Sequence, residues 1–394
     1  MRNWRRASAL SAALLSMLLL ATGAMARSNS ASASASASVI TIGNISSVTG
    51  QNVLPDGSEG ANAYFNYLNA HGGINGHKVK FVIADDQGNA QDAAQAASRL
   101  VNQDNVVGLV ASDSILECSI NTSLYSKAKV LDIADQGVDS GCFDSANIGP
   151  VNTGPFTALQ VNLTYAVKVL HYSKVCVLIP DLPGIQAGDA KAIVAWTKAT
   201  GKKLALSLQD LSLTGDPTAS LLRAKSAGCQ AVASNGPAAY LAAFIKAAAA
   251  QNLTKSIKFL FPTTAYDPSF LSAAGSAADG AIINSEFLPY TSTSSALTQA
   301  EKVFKAEKVP LGSQYLGGYI GAEIFAKVVS GIKGTITRAS VTNAFRHMKP
   351  YSTPLMGDAY VFGPGKSHNP NRSSKFLTVK NGKFVQLSTS WFHI

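Results

Sequence analysis

Two adjacent carboxylates, Asp85-Asp86, stand at the end of an apolar run, Val79–Ile83, where a strand would deliver them to a loop. Side by side they could work as an acid–base pair. Placed just before a helical pattern, they more simply cap that helix and bind turn amides, and this reading is preferred. Gly363-Pro364-Gly365-Lys366-Ser367 ends like a phosphate loop, but Tyr360 stands where the first glycine belongs, and no strand-to-helix context surrounds it. It reads as a surface turn. His71, His77, His171, His347, His368 and His393 are scattered, mostly beside turn residues, as solvated or structural histidines are. There is no Gly-x-Ser-x-Gly elbow, His-Glu-x-x-His helix or Cys-x-x-Cys pair. An enzyme is therefore not expected, nor a metal or any other cofactor.

The elements that must position these residues alternate. Ala61, Tyr64, Phe65 and Leu68 fall on one helix face, with Asp56 and Glu59 as a capping-box entry and Gly72-Gly73 as the left-handed exit. Ile74-Asn75-Gly76-His77 makes a tight turn into the strand Val79–Ile83. Helix and strand patterns continue at 91–101, 106–111, 119–129 and 129–133, after a first strand at 39–45. A second series follows, with strands at 175–179, 204–208, 231–234, 259–261 and 280–286 and helices at 185–200, 217–227 and 238–251. This rhythm predicts parallel sheets wrapped on both faces, with a crevice beyond the strand C-termini. Cys118 and Cys142 flank one helix–strand unit at the same end of the sheet, so a disulfide is expected between them. Cys176 and Cys229 open the apolar runs VCVLI and CQAVA, where buried free thiols are favoured slightly over a second bridge.

The stretch LNAHGGINGHKVKFVIADDQGNAQDAAQAASRLV closely resembles the leucine/isoleucine/valine-binding family of type I periplasmic binding proteins, and element order extends the likeness over about 40–387. The resemblance implies two doubly wound parallel-sheet lobes joined by a three-strand hinge. The boundaries expected are 39–152 plus 287–350 for the N-terminal lobe and 153–286 plus 351–394 for the C-terminal lobe. It implies a substrate-binding protein of an ABC importer that closes on a small carboxylate-bearing solute, a branched-chain or other amino acid or an aromatic or aliphatic acid. The partners are then that solute and the membrane permease, with the protein itself a monomer. The rival reading is an extracytoplasmic sensing component built on the same fold.

Family members hold the ligand carboxylate with a serine after the third strand, and Ser112 aligns with it; Asp113 and Ser114 read chiefly as helix caps, with Asp113 kept as a ligand candidate. Asp135 and Gly137 occupy the next loop that holds the ligand head. In the second lobe, Thr264 stands near the place of the acid that pairs with a ligand ammonium. The loop Asn235-Gly236-Pro237 replaces a family tyrosine, with Tyr240 three residues on. An unpaired ammonium in a closed cleft costs several kcal/mol. Either Asp135 or Asp267 takes over that pairing, or the ligand has no ammonium. Tyr266 and Tyr315 are candidates to stack on a ring.

Composition bounds the rest. At 394 residues two domains are the prior, and 46% hydrophobic with 14% charged residues suits packed layers. Net charge is +10, of which Arg2, Arg5 and Arg6 contribute three, so the remainder carries +7. Without a basic cluster interleaved with aromatics, nucleic acid is not an expected partner. Residues 1–26 read as a signal peptide, with an apolar run 9–20 and cleavage near Ala26, and 27–38 as a disordered Ser/Ala linker. A periplasmic location is expected.

Overall fold

Alternating apolar residues in the strands and one-sided stripes on the helices sort the chain into two sheets with cores on both faces. The computed structural model describes residues 39–50, 54–182, 184–368 and 371–394; the expected signal peptide and Ser/Ala linker lie outside the described residues. The order begins β1 (Ile40–Ser46), α1 (Asp56–Ala70), β2 (Val79–Asp85), α2 (Ala90–Asn102), β3 (Leu109–Val110), α3 (Glu117–Ala128), β4 (Asp132–Ile133), α4 (Ser140–Phe143). Next come α5 (Gly154–Lys168), β5 (Val175–Pro180), α6 (Gln186–Thr200), β6 (Leu206–Leu211), α7 (Thr218–Ser226), β7 (Ala231–Ala233), α8 (Ala238–Ala250), β8 (Lys258–Phe261), α9 (Pro268–Ala274), β9 (Ile282–Ser285). The helices α10 (Ser295–Glu307), α11 (Ser313–Ser330) and α12 (Arg338–Arg346) precede β10 (Ser373–Lys380), β11 (Lys383–Gln386) and β12 (Phe392–His393).

The first sheet is parallel, in the order β2-β1-β3-β4. The second runs β11-β10-β9-β8-β7-β5-β6; β5 to β9 are parallel, and β10 to β12 add antiparallel strands at one side. Strand β5 shows why both faces are covered. Val175, Val177 and Ile179 enter one core with Leu159 and Trp196, while Cys176 and Leu178 enter the opposite core with Val232 and Phe259. Such period-two burial on both faces is what a doubly wound sheet requires.

The C-terminal third returns to the first sheet before the second is completed. Helix α11 lies directly on α1, and glycines permit the approach. A Cβ at Gly318 would stand 1.9 Å from the Gly57 carbonyl oxygen, and one at Gly60 would stand 1.9 Å from that of Tyr315. Leu355, Met356, Tyr360 and Phe362 bury in the same core as α1 and α11, so the chain rejoins the second sheet only at β10. The three passages between sheets are bound together. Asn371 Nδ2 donates to Val151 O (3.3 Å) and to Glu286 O (3.1 Å), one bond to each of the other two passages.

Several local expectations are corrected. The N-cap of α1 is Pro55, which has no polar side chain to cap with, and Asp56 in the first turn accepts a hydrogen bond from Tyr315 instead of closing a capping box with Glu59. Its exit is as expected, with Gly72 and Gly73 at positive φ, followed by the turn at Asn75 and Gly76. Asn89, not Asp85 or Asp86, caps α2 by accepting from Asp92 N at 2.9 Å. The two aspartates bind turn amides and hydroxyls: Val48 N and Gln87 N donate to Asp85, and Ser47 Oγ and Gly88 N to Asp86. Cys118 and Cys142 are bridged with Cα atoms 4.9 Å apart, as expected. Cys176 and Cys229 are also bridged, at 5.9 Å, contrary to the free thiols favoured from sequence. Parallel pairing of β5 with β7 brings them together, a neighbour relation that spacing along the chain does not reveal.

Candidate functional site

Parallel strands deliver their C-terminal loops to one end of a sheet, and here the loops of both sheets meet around the tied passages. Between them lies a cavity of about 450 Å³. From the first sheet's side Leu54, Ile115, Gln136, Gly137 and Val138 line it, with Gln314 from the start of α11. The second sheet's side contributes Leu182, Ile185, Leu213, Asn235, Pro237 and Thr264. Asn152, Gly154 and Glu286 belong to the passages themselves. The wall is largely apolar, and three carboxylates, Asp139, Asp189 and Glu286, interrupt it. Among the described residues no lysine, arginine or histidine lines it.

The carboxylates differ in what holds them. Glu286 is 2% exposed; its Oε2 accepts from Thr153 N (2.8 Å) and Thr153 Oγ1 (2.9 Å), and its Oε1 has no partner. Burial pushes its carboxyl up to about 7, against the pull of the Thr153 amide and hydroxyl and the Gly154 amide. Asp189, in the first turn of α6, accepts from Asn235 Nδ2 at 3.4 Å; burial raises it to about 7, opposed by that bond. Asn235 Oδ1 has no partner either. Asp139 is the N-cap of α4, accepting from Cys142 N at 3.2 Å, and burial raises its carboxyl. Gln136 Nε2 and Gln314 Oε1 complete a set of unbonded polar atoms on an apolar wall.

Of the sequence candidates, Gly137, Pro237 and Thr264 line the cavity. Gly137 has little left to offer, since Asn152 Oδ1 accepts from its N–H (2.9 Å) and Asn152 Nδ2 donates to its carbonyl (3.2 Å). Thr264 Oγ1 donates to Gly236 O at 2.7 Å. Ser112, Asp113, Asp135, Tyr266 and Tyr315 are not on the wall. Ala111 at φ +56° turns the chain so that Ser112 Oγ faces back to Ile45 N (3.4 Å) and to the Asp132 carboxylate. Asp113 is held at α1, accepting from Gly57 N at 3.3 Å, while Ser114 takes the capping role by accepting from Leu116 N and Glu117 N.

Asp135 is fully buried against Gly57 and Gly317, and neither carboxylate oxygen has a hydrogen-bond partner. Burial first, then the charges of Asp113, Glu286 and Asp56, hold its carboxyl well above the ordinary range. Asp267, the other expected ammonium partner, is spent capping α9 through Ser269 N at 2.7 Å. Tyr266 stacks on Tyr290 (4.3 Å) and bonds Thr291 Oγ1 (3.0 Å), so its ring packs inside the second layer. Tyr315 donates to Asp56. Sequence reasoning missed Glu286, Asp189, Asn235 and Gln136. The available signal was Glu286 directly after the apolar run AIINS, at a strand's C-terminal end.

The comparisons agree with this architecture. The family described as periplasmic binding protein matches residues 39–383. An amino acid binding protein of Pseudomonas aeruginosa is 42% identical over 69 residues, spanning 17% of this chain and only 18% of that relative's length. Among solved structures, a branched-chain amino acid transporter substrate binding protein from Streptococcus pneumoniae, in complex with isoleucine, is similar at TM-score 0.75 and 16% identity. That match covers 90% of this chain and 100% of the other. A fatty acid ABC transporter substrate-binding protein from Thermomonospora curvata matches at TM-score 0.75 and 18% identity, covering 91% and 93% of the two chains. These relatives are binding proteins rather than enzymes, and the family carries a periplasmic name. The chain belongs to the periplasmic binding protein family and has the type I fold of its leucine and branched-chain amino acid binding members.

Proposed function

We propose that this protein is the substrate-binding component of an ABC importer, working as a monomeric periplasmic receptor that hands its solute to a membrane permease. One observation carries the reading: the loops of both sheets and the tied passages enclose a single cavity of about 450 Å³ that reaches both halves of the fold. A solute bridging that cavity favours the closed arrangement by its differential affinity for it. The halves would move as lobes about the passages bound by Asn371. The apolar wall suits an aliphatic or aromatic body, in line with the isoleucine and fatty acid named for two relatives. Among the described residues, a carboxylate head, expected from the resemblance, has no cationic side chain to pair with on this wall, and Gln136 Nε2 is an unbonded side-chain donor available to it.

A thermal-shift panel of amino acids, amines, aromatic acids and fatty acids tests the reading. At least one class should raise the melting temperature in a concentration-dependent way, as any ligand that binds only the folded state does. No shift from any class at millimolar concentration contradicts it.

A further inference from the structure

We infer that the solute's obligatory polar group is a cationic N–H donor, an ammonium on an apolar body, received by Glu286 with Asp189 and Asn235, and that a carboxylate is dispensable. The inference rests on the reading of the cavity as a solute site. It narrows the ligand class in a direction opposite to the carboxylate expected from sequence.

Charge and hydrogen-bond accounting on the wall lead there. Among the described residues, three carboxylates and no cationic side chain line the cavity, although the whole chain carries +10. Three buried acceptor atoms on the wall lack partners among the described residues: Glu286 Oε1, on a residue 2% exposed, Asn235 Oδ1, on a residue 4% exposed, and Gln314 Oε1. Buried polar atoms are rarely left unbonded, and an acceptor in an apolar wall is satisfied by a donor the ligand brings. Asn235 also donates to Asp189, so its free oxygen sits beside a second carboxylate.

The positive end of α5 does not supply an anion site, because Thr153 N already donates to Glu286 Oε2. A solute carboxylate would push the raised carboxyls of Glu286 and Asp189 further toward their neutral forms, whereas an ammonium favours their charged forms. An ammonium has three donors for these acceptors and the charge to complement them. Apolar side chains such as Leu182, Ile185 and Leu213 then cover the rest of the molecule.

Two triads of one body with three heads make the test. They are 2-phenylethylamine, L-phenylalanine and 3-phenylpropanoate, then 3-methylbutylamine, L-leucine and 4-methylpentanoate, each titrated calorimetrically into the full chain. The ammonium-bearing members of at least one triad should bind, with the deaminated acid weaker by roughly 10- to 100-fold, the value of a charged hydrogen bond. Glu286→Gln keeps the size and the acceptor for Thr153 but not the charge, so it should lose amine affinity by a similar factor. Asp189→Asn, with its fold checked by circular dichroism, should do so to a smaller degree. If the acids bind as tightly as the amines, or Glu286→Gln leaves amine affinity unchanged, the ammonium inference falls while the receptor reading stands. If L-phenylalanine or L-leucine binds and neither amine does, the carboxylate is not dispensable and the inference falls while the receptor reading stands. If no member of either triad binds, the ammonium inference falls and the thermal-shift panel decides the receptor reading.

Discussion

Replacing Glu286 with glutamine should flatten part of the protein's pH dependence of stability. The native carboxyl lies at about 7, raised by burial from its ordinary 4.5. In the unfolded chain it returns to the ordinary value, so between those two points the native state holds more protons and stability falls as pH rises. Below about 4.5 the contribution is fully present; above about 7 it is gone, a total of roughly 3 kcal/mol. Between about pH 5 and about pH 8 the wild type should lose about 2 kcal/mol more than Glu286→Gln. The glutamine retains an oxygen for Thr153 N and Thr153 Oγ1. Asp113, Asp56 and Asp189 also sit high through burial and remain in both proteins, so they cancel in the difference, which reports position 286 together with its charge coupling to Asp135. Urea denaturation with both disulfides intact, at the two pH values, gives the four midpoints needed. Parallel losses, within about 0.5 kcal/mol, would show that the carboxyl is not desolvated and would refute the reasoning.

Other expectations concern the frame around the cavity. Gly318→Ala puts a methyl 1.9 Å from the Gly57 carbonyl, so α1 and α11 must separate, and the melting transition should fall by the equivalent of about 3 kcal/mol; an unchanged transition contradicts the close crossing. Replacing Cys176 and Cys229 together with serine opens a link across 53 residues of chain and should cost about 4 kcal/mol in urea unfolding, by the chain-entropy relation. Mass analysis of the unreduced wild type should find no free thiol; alkylation at a cysteine would contradict the bridge that contains it.

Local signals were legible where the physics is local. The helix face through Ala61 and Phe65, the glycine exit, and the Asn75-Gly76 turn all depend on near neighbours, and they stand where spacing put them. The Cys118–Cys142 bridge was readable because one helix–strand unit separates the two. Cys176–Cys229 was not, since it depends on β5 lying next to β7 in the sheet. Ser112 shows a different loss. A motif gives the loop, but the backbone turn at Ala111 decides which way the hydroxyl points, and it points into the first sheet. Glu286 was hidden because its partners come from the two other passages, with Thr153 bonding its side chain and Asn371 its carbonyl. The acids at 113 and 135, which looked like ligand partners, are instead packed against the N-terminal end of α1.

Small-angle X-ray scattering, with and without the tightest-binding solute of the panel at saturation, tests the closing cavity most directly. The account predicts that the radius of gyration contracts on binding, and that Glu286→Gln needs a higher amine concentration for the same contraction. Superimposable curves at saturation would contradict it.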